Sequence, residues 1–198
     1  MVGTIGFAGS KARVAGRFGW WWRVIGTPHL AAAALGGALL GAVASTVGLA
    51  LPGGSPERVW VGLALLAIAG GLDLIGARAN LIARAKQVPL SWKHVFPAPM
   101  SSTLYGATLG IGLASTVYFW SFWAVIVALI VAASPALGLV LGAGYGIGRA
   151  LPVFAVAGAL EESEIETTLD SWRDRDQLVK TLSLMATALL ALGVWQLV

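Results

Sequence analysis

Residues 104–133 read LYGATLGIGLASTVYFWSFWAVIVALIVAA, a run of thirty without one charged side chain. A hydrocarbon layer about 30 Å thick is crossed by about 20 apolar residues in a helix. Thirty residues in that form extend roughly 45 Å. The run is thus longer than an upright membrane helix, so it is expected to tilt, bend or project past the bilayer at one end. Backbone groups in lipid must be satisfied internally, which leaves helices or a closed barrel. The apolar runs of this chain are continuous rather than alternating, and that selects helices. Only 11% of the residues are charged, against 58% hydrophobic, whereas soluble domains carry about 25% charge.

The expected fold is all-α, a polytopic transmembrane bundle of about five spans: 30–51, 59–79, 104–133, 135–160 and 179–198. Residues 1–28 form a separate amphipathic segment ahead of this single transmembrane domain. There Lys11, Arg13, Arg17 and Arg23 stand among Phe18, Trp20, Trp21 and Trp22. Val14, Phe18, Trp21 and Ile25 recur at helical spacing, so a short helix is expected to lie on the cytoplasmic surface. The opening MVGTIGFAGS has neither the basic start nor the apolar centre of a signal peptide.

Charge fixes an expected orientation. With the N-terminus in the cytoplasm, five spans leave Lys11, Arg13, Arg17, Arg23, Arg78, Arg84, Lys86, Lys93, Arg149, Arg173, Arg175 and Lys180 on the inner side. Of the 13 basic residues only Arg58 falls outside, as the positive-inside rule requires. Trp60 and Trp195 fall at the outer interface, and the C-terminus is expected outside. The net charge of +4 is thereby explained by topology rather than by nucleic acid.

An internal repeat is expected. Residues 37–47 read GALLGAVASTV and 106–117 read GATLGIGLASTV, agreeing at eight of eleven positions with one gap. Spans one and two then recur, pointing the same way, as spans three and four. Gly37 and Gly41, Gly106 and Gly110, and Gly138, Gly142 and Gly146 are spaced by four. Such faces let helix backbones approach where lipid supplies no hydrophobic drive. Ser45, Thr46, Ser115 and Thr116 either bond within the bundle or line a shared polar site.

Asp73 is the one acid well inside a span, and ionisable groups there are costly. It either pairs structurally with Arg78 or Arg149 or serves as an ion-coupling carboxylate. His29 and His94 are expected at the interface, without a companion at metal-ligand spacing. Glu161, Glu162, Glu164 and Glu166 read as a solvated face balanced by Arg173 and Arg175. Phosphate-loop, zinc-protease and nucleophile-elbow patterns are missing. No metal site or catalytic group is expected, the chain is not read as an enzyme, and no cofactor is indicated.

The glycine-spaced first helices, the duplicated hairpin and the long third run resemble the membrane part of the thiol-disulfide relay family. That resemblance covers 36–160 and rests on GxxxG followed by small and hydroxyl residues. It implies a bacterial inner-membrane bundle that passes reducing equivalents across the bilayer. Family members place a cysteine after each copy of the pattern and use three spans per inverted repeat. Here those positions are 48–52 and 118–122, and the chain has no cysteine, so redox activity does not carry over. What is expected instead is a non-catalytic accessory or scaffolding subunit packed, through lipid, against other membrane subunits or itself. The alternative is a small oligomeric transporter with a site between the repeats.

Overall fold

The computed structural model describes residues 2–50, 56–77, 92–112, 120–157 and 167. Arg78, Ser115, Thr116, the acidic segment 161–166 and the fifth expected span, 179–198, lie outside the described residues. The described chain is helical, with no strand: α1 (Val2–Val14), α2 (Phe18–Trp21), a π-helical turn (Trp22–Gly26), α3 (Thr27–Ala50), α4 (Pro56–Leu74), α5 (Trp92–Val95), α6 (Ala98–Ile111), α7 (Trp120–Ala132) and α8 (Pro135–Ala157).

α2, the π turn and α3 run on as one 33-residue helix, Phe18–Ala50, long and apolar enough to cross a membrane. It continues through position 28, where the sequence placed a boundary. The cause of the widened turn is Pro28, which has no N–H to donate and whose ring crowds the carbonyl one turn earlier. The helix loosens just before it, and the Thr27 N–H reaches back to the Trp22 carbonyl. Five residues at about 4.4 per turn and three at 3.6 make close to two full rotations. Trp21 and His29 therefore share one face, where an unbroken α-helix would offset them by about 80°. Both are buried.

α3 is the axis of the bundle. Its Gly37 and Gly41 lie against the backbone of Gly142 and Gly138 in α8, and its Ala33 carbonyl against Gly146. Rising numbers in α3 meet falling numbers in α8, so the two are antiparallel. On another side, Gly106 of α6 meets the His29 carbonyl and Gly110 that of Ala33. Those numbers rise together, so α3 and α6 are parallel. A Cβ at any of these glycines would sit closer than 3.0 Å to a backbone carbonyl oxygen. The outer stripe of α3 is the reverse: Leu35, Leu39, Val43 and Val47 are exposed. Small residues thus face the neighbouring helices and bulky apolar ones face outward.

α4 and α7 form a second pair, joined through buried Leu66, Ala69, Ala124 and Ala128. Gly62 faces Val131 while Asp73 reaches Trp120, so these helices are antiparallel. α7 ends beside the last turn of α3, where Gly48 lies against the Ile130 carbonyl. α6 and α7 therefore follow one another along α3 in the same direction. The charge-free run 104–133 is divided between them.

The N-terminal segment is not the single helix expected across Val14, Phe18, Trp21 and Ile25. α1 ends at a turn around Gly16, and Gly9 lies against Trp21 and Ala157, so α1 folds back beside α2. Its buried positions among the described ones are Ile5, Gly9, Ser10 and Ala12, while Val14, at the head of the expected stripe, is 70% exposed. Backbone bonds close the helix before that stripe can form.

The close crossings predict opposite outcomes for alanine at neighbouring glycines of α8. Gly142→Ala forces a methyl group into the Gly37 carbonyl, a rigid neighbour, and should cost about 1–3 kcal/mol. Gly144→Ala meets nothing within 4 Å and should be neutral or add up to about 1 kcal/mol from helix propensity. Thermal unfolding of the two variants in detergent measures the difference.

Candidate functional site

α6 stops at Gly112, whose φ of +69° lies in the left-handed region that other residues rarely adopt. Its N–H still bonds to the Leu109 carbonyl, at 3.1 Å. A Cβ at this position would also lie 2.9 Å from the Phe122 ring and from Tyr145 Oη. Glycine is thus required twice over, for the turn and for the side chains packed on it. The described chain resumes at Trp120, the first residue of α7.

The start of α7 carries the positive end of a helix dipole and N–H groups that its own helix cannot satisfy. Asp73 supplies the acceptor. Its Oδ1 takes the Trp120 backbone N–H at 2.7 Å, and the residue is 5% exposed. Asp73 lies in the last turn of α4, where a negative charge opposes that helix's own dipole. The opposition is offset across the interface by the start of α7. The carboxylate therefore ties the end of α4 to the start of the second half of the divided run.

On the other side of the break stands α8. Tyr145 packs on Phe122 with ring centroids 5.1 Å apart. Tyr145 Oη accepts a hydrogen bond from an Arg149 guanidinium nitrogen at 2.8 Å, and the guanidinium lies 5.7 Å from the Tyr145 ring centroid. Asp73 and Arg149, paired in one sequence expectation, both stand at this break, Asp73 on the Trp120 N–H and Arg149 on Tyr145. The indole nitrogens of Trp120 and Trp123 are buried and have no hydrogen-bond partner among the described residues.

The expected hydroxyl pair divides. Ser45 is fully buried at the crossing of α3 and α8, where a Cβ at Gly138 would lie 2.5 Å from its Oγ. Arg149 is roughly 16 Å further along α8, so these two do not share a site. Thr46 is exposed and bonds back to the Ala42 carbonyl at 2.8 Å. The expected packing glycines Gly37, Gly41, Gly106, Gly110, Gly138, Gly142 and Gly146 all sit at backbone crossings of α3 with α6 or α8.

Sequence reasoning passed over His29, which it placed at the interface. The side chain is fully buried. Its Nδ1 lies 3.0 Å from the Ser102 carbonyl oxygen, to which it donates because a carbonyl can only accept. Ser102 Oγ in turn donates to the Ile25 carbonyl at 3.3 Å. The ring stacks on Tyr105 at 5.7 Å and meets Phe154 edge-on at 6.2 Å. Two polar links therefore fasten α6, one to the start of α3 and one to the π turn before it, within the apolar core. The signal available in the sequence was Pro28, which marks the place where a long apolar helix must open. No group of three or more potential metal ligands occurs among the described residues.

No protein family, curated protein or solved structure matches this chain.

The cap at the break is testable by removing its acceptor. Asp73→Ala should destabilise the fold by about 0.5–2 kcal/mol, the usual cost of losing a helix N-terminal acceptor. Asp73→Asn, which keeps an oxygen in place, should cost less. Chemical unfolding of both variants in the same detergent ranks them.

Proposed function

We propose that this chain is a multi-pass inner-membrane protein that moves an ion or small solute, with its working site at the break between α6 and α7. The observation that carries this reading is the buried carboxylate of Asp73 on the first backbone N–H of α7. Transporters commonly build midplane sites from discontinuous helices, whose half-helix ends offer unpaired backbone groups and a fixed partial charge. The break supplies those features, with Tyr145 and Arg149 beside Gly112 and two buried indole donors on α7. A buried acid in a chain this poor in charge is a coupling group by default. The bulky apolar stripe outside α3 and the small-residue contacts inside it support placement in lipid. Alternating spans with the N-terminus in the cytoplasm account for the distribution of arginine and lysine.

A second reading, an accessory subunit of a larger membrane complex, draws on one feature of α8. Gly144 and Gly148 are exposed and a Cβ on either would meet nothing within 4 Å. Such a face suits close packing against another helix.

Proteoliposomes loaded with a pH-sensitive dye, under imposed Na⁺ or K⁺ gradients, distinguish the two. Wild type should support ion-dependent flux. Asp73→Asn should lose about tenfold or more of it while its unfolding midpoint stays within a few degrees. Unchanged flux in Asp73→Asn refutes the role given to the carboxylate. Inert wild type that co-purifies with stoichiometric partners favours the subunit.

A further inference from the structure

The residues around the α1–α2 turn are used neither by the helix break nor by the glycine crossings. α1 closes with Gly16 at φ +68°, its N–H bonding to the Arg13 carbonyl at 3.0 Å while the Arg17 N–H bonds to the Ala12 carbonyl at 2.7 Å. This paired arrangement is a Schellman closure, and glycine suits its left-handed position. The closure holds Lys11, Arg13 and Arg17 at the tip of a helical hairpin whose other face is buried at Ile5, Gly9, Ala12 and Trp21. Arg13 is set by its guanidinium over the Phe18 ring, 4.6 Å from the centroid. Arg23 donates through Nε to the Gly19 carbonyl at 3.3 Å. Arg13, Arg17 and Arg23 are all exposed, and so are Val14 and the tryptophans Trp20 and Trp22. Arg17, Trp20 and Arg23 recur every three residues, alternating cation and amphipathic ring. No acid occurs in the sequence before Glu57.

From this geometry we infer that the hairpin tip is a docking surface for anionic phospholipid headgroups. The occupant follows from charge and position. The first 56 residues carry basic side chains and no acidic one, so the charge that this segment brings to the patch complements phosphate. It stands at the N-terminal end of the helix able to cross a bilayer, at the depth where headgroups lie. Exposed indoles beside it favour the membrane–water interface over bulk water. Guanidinium forks match phosphate oxygens two at a time. The turn and the Phe18 contact set two of those arginines in place before any lipid arrives. This inference rests on the membrane reading above but not on the transport site.

The test uses the full chain in nanodiscs of phosphatidylcholine containing a minor fraction of phosphatidylglycerol, with retained lipid counted by native mass spectrometry. Wild type should keep phosphatidylglycerol in preference to phosphatidylcholine, and high salt should weaken that preference. Each basic residue near an anionic surface contributes about fivefold, so Arg13→Gln/Arg17→Gln/Arg23→Gln should lower retention about a hundredfold. The triple Arg→Lys variant should keep most of it, and its unfolding midpoint shows that the tip tolerates substitution. Equal retention of the two lipids by wild type, or no change in the Gln variant, overturns the inference. So does displacement of phosphatidylglycerol by a co-purifying acidic protein bound at the same arginines. Alkaline extraction of native membranes is scored separately. A chain that resists extraction yet shows no headgroup preference fails only here, whereas a chain that is extracted fails the membrane reading itself.

Discussion

Contact between backbones, without side chains between them, is the constraint on which this structure depends. α3 touches α8 through Gly37, Gly41, Gly138, Gly142 and Gly146, and touches α6 through Gly106 and Gly110. In the membrane proposed for this chain, lipid would offer no hydrophobic reward for bringing two apolar helices together, and association would rest on close van der Waals approach and on polar links. Glycine permits the approach but weakens each helix on its own, by about 1 kcal/mol per residue relative to alanine. The arrangement is therefore stable only as an assembly. Its helices are made rigid by one another rather than by their own sequences.

The polar links between helices made by His29, Ser102 and Asp73 occur where a helix is interrupted. Pro28 opens the long first helix, and beside it His29, Ser102 and the Ile25 carbonyl link α3 to α6. Gly112 ends α6, and beside that end Asp73 meets the start of α7. The physical reason is common to both. An interrupted helix leaves backbone groups unsatisfied, and in an apolar setting another side chain has to reach them. The Asp73 contact ties the end of α4 to the start of α7, which follows α6 along α3. A change at that one carboxylate reaches both helices of the pair.

Much of this was legible in the sequence, for definable reasons. Glycine spacing by four showed which faces of α3, α6 and α8 could approach, because the period of a helix is fixed. The excess length of 104–133 required a tilt or bend, and a break is one way to use thirty residues. The position of the break was hidden, because Gly112 is one glycine among several in that run and the side chains that leave no room for a Cβ there, Phe122 and Tyr145, come from other helices. Asp73 stood out by charge alone, yet its acceptor role toward Trp120 depends on a contact 47 residues away. His29 was missed because a histidine beside a proline reads as a boundary. Only the π turn rotates it inward. The N-terminal stripe of Val14, Phe18, Trp21 and Ile25 obeyed helical periodicity, but Gly16 interrupts the helix that would have used it.

The claim beneath all of this is that α3 meets α8 backbone to backbone in a bilayer. Solid-state NMR of the ¹³C-glycine-labelled chain in lipid tests it most directly. The account predicts through-space correlations between Gly37 and Gly142 and between Gly41 and Gly138, with no transfer to these glycines from lipid acyl protons. Acyl-chain contact at Gly37 and Gly142, without correlation between them, would contradict it.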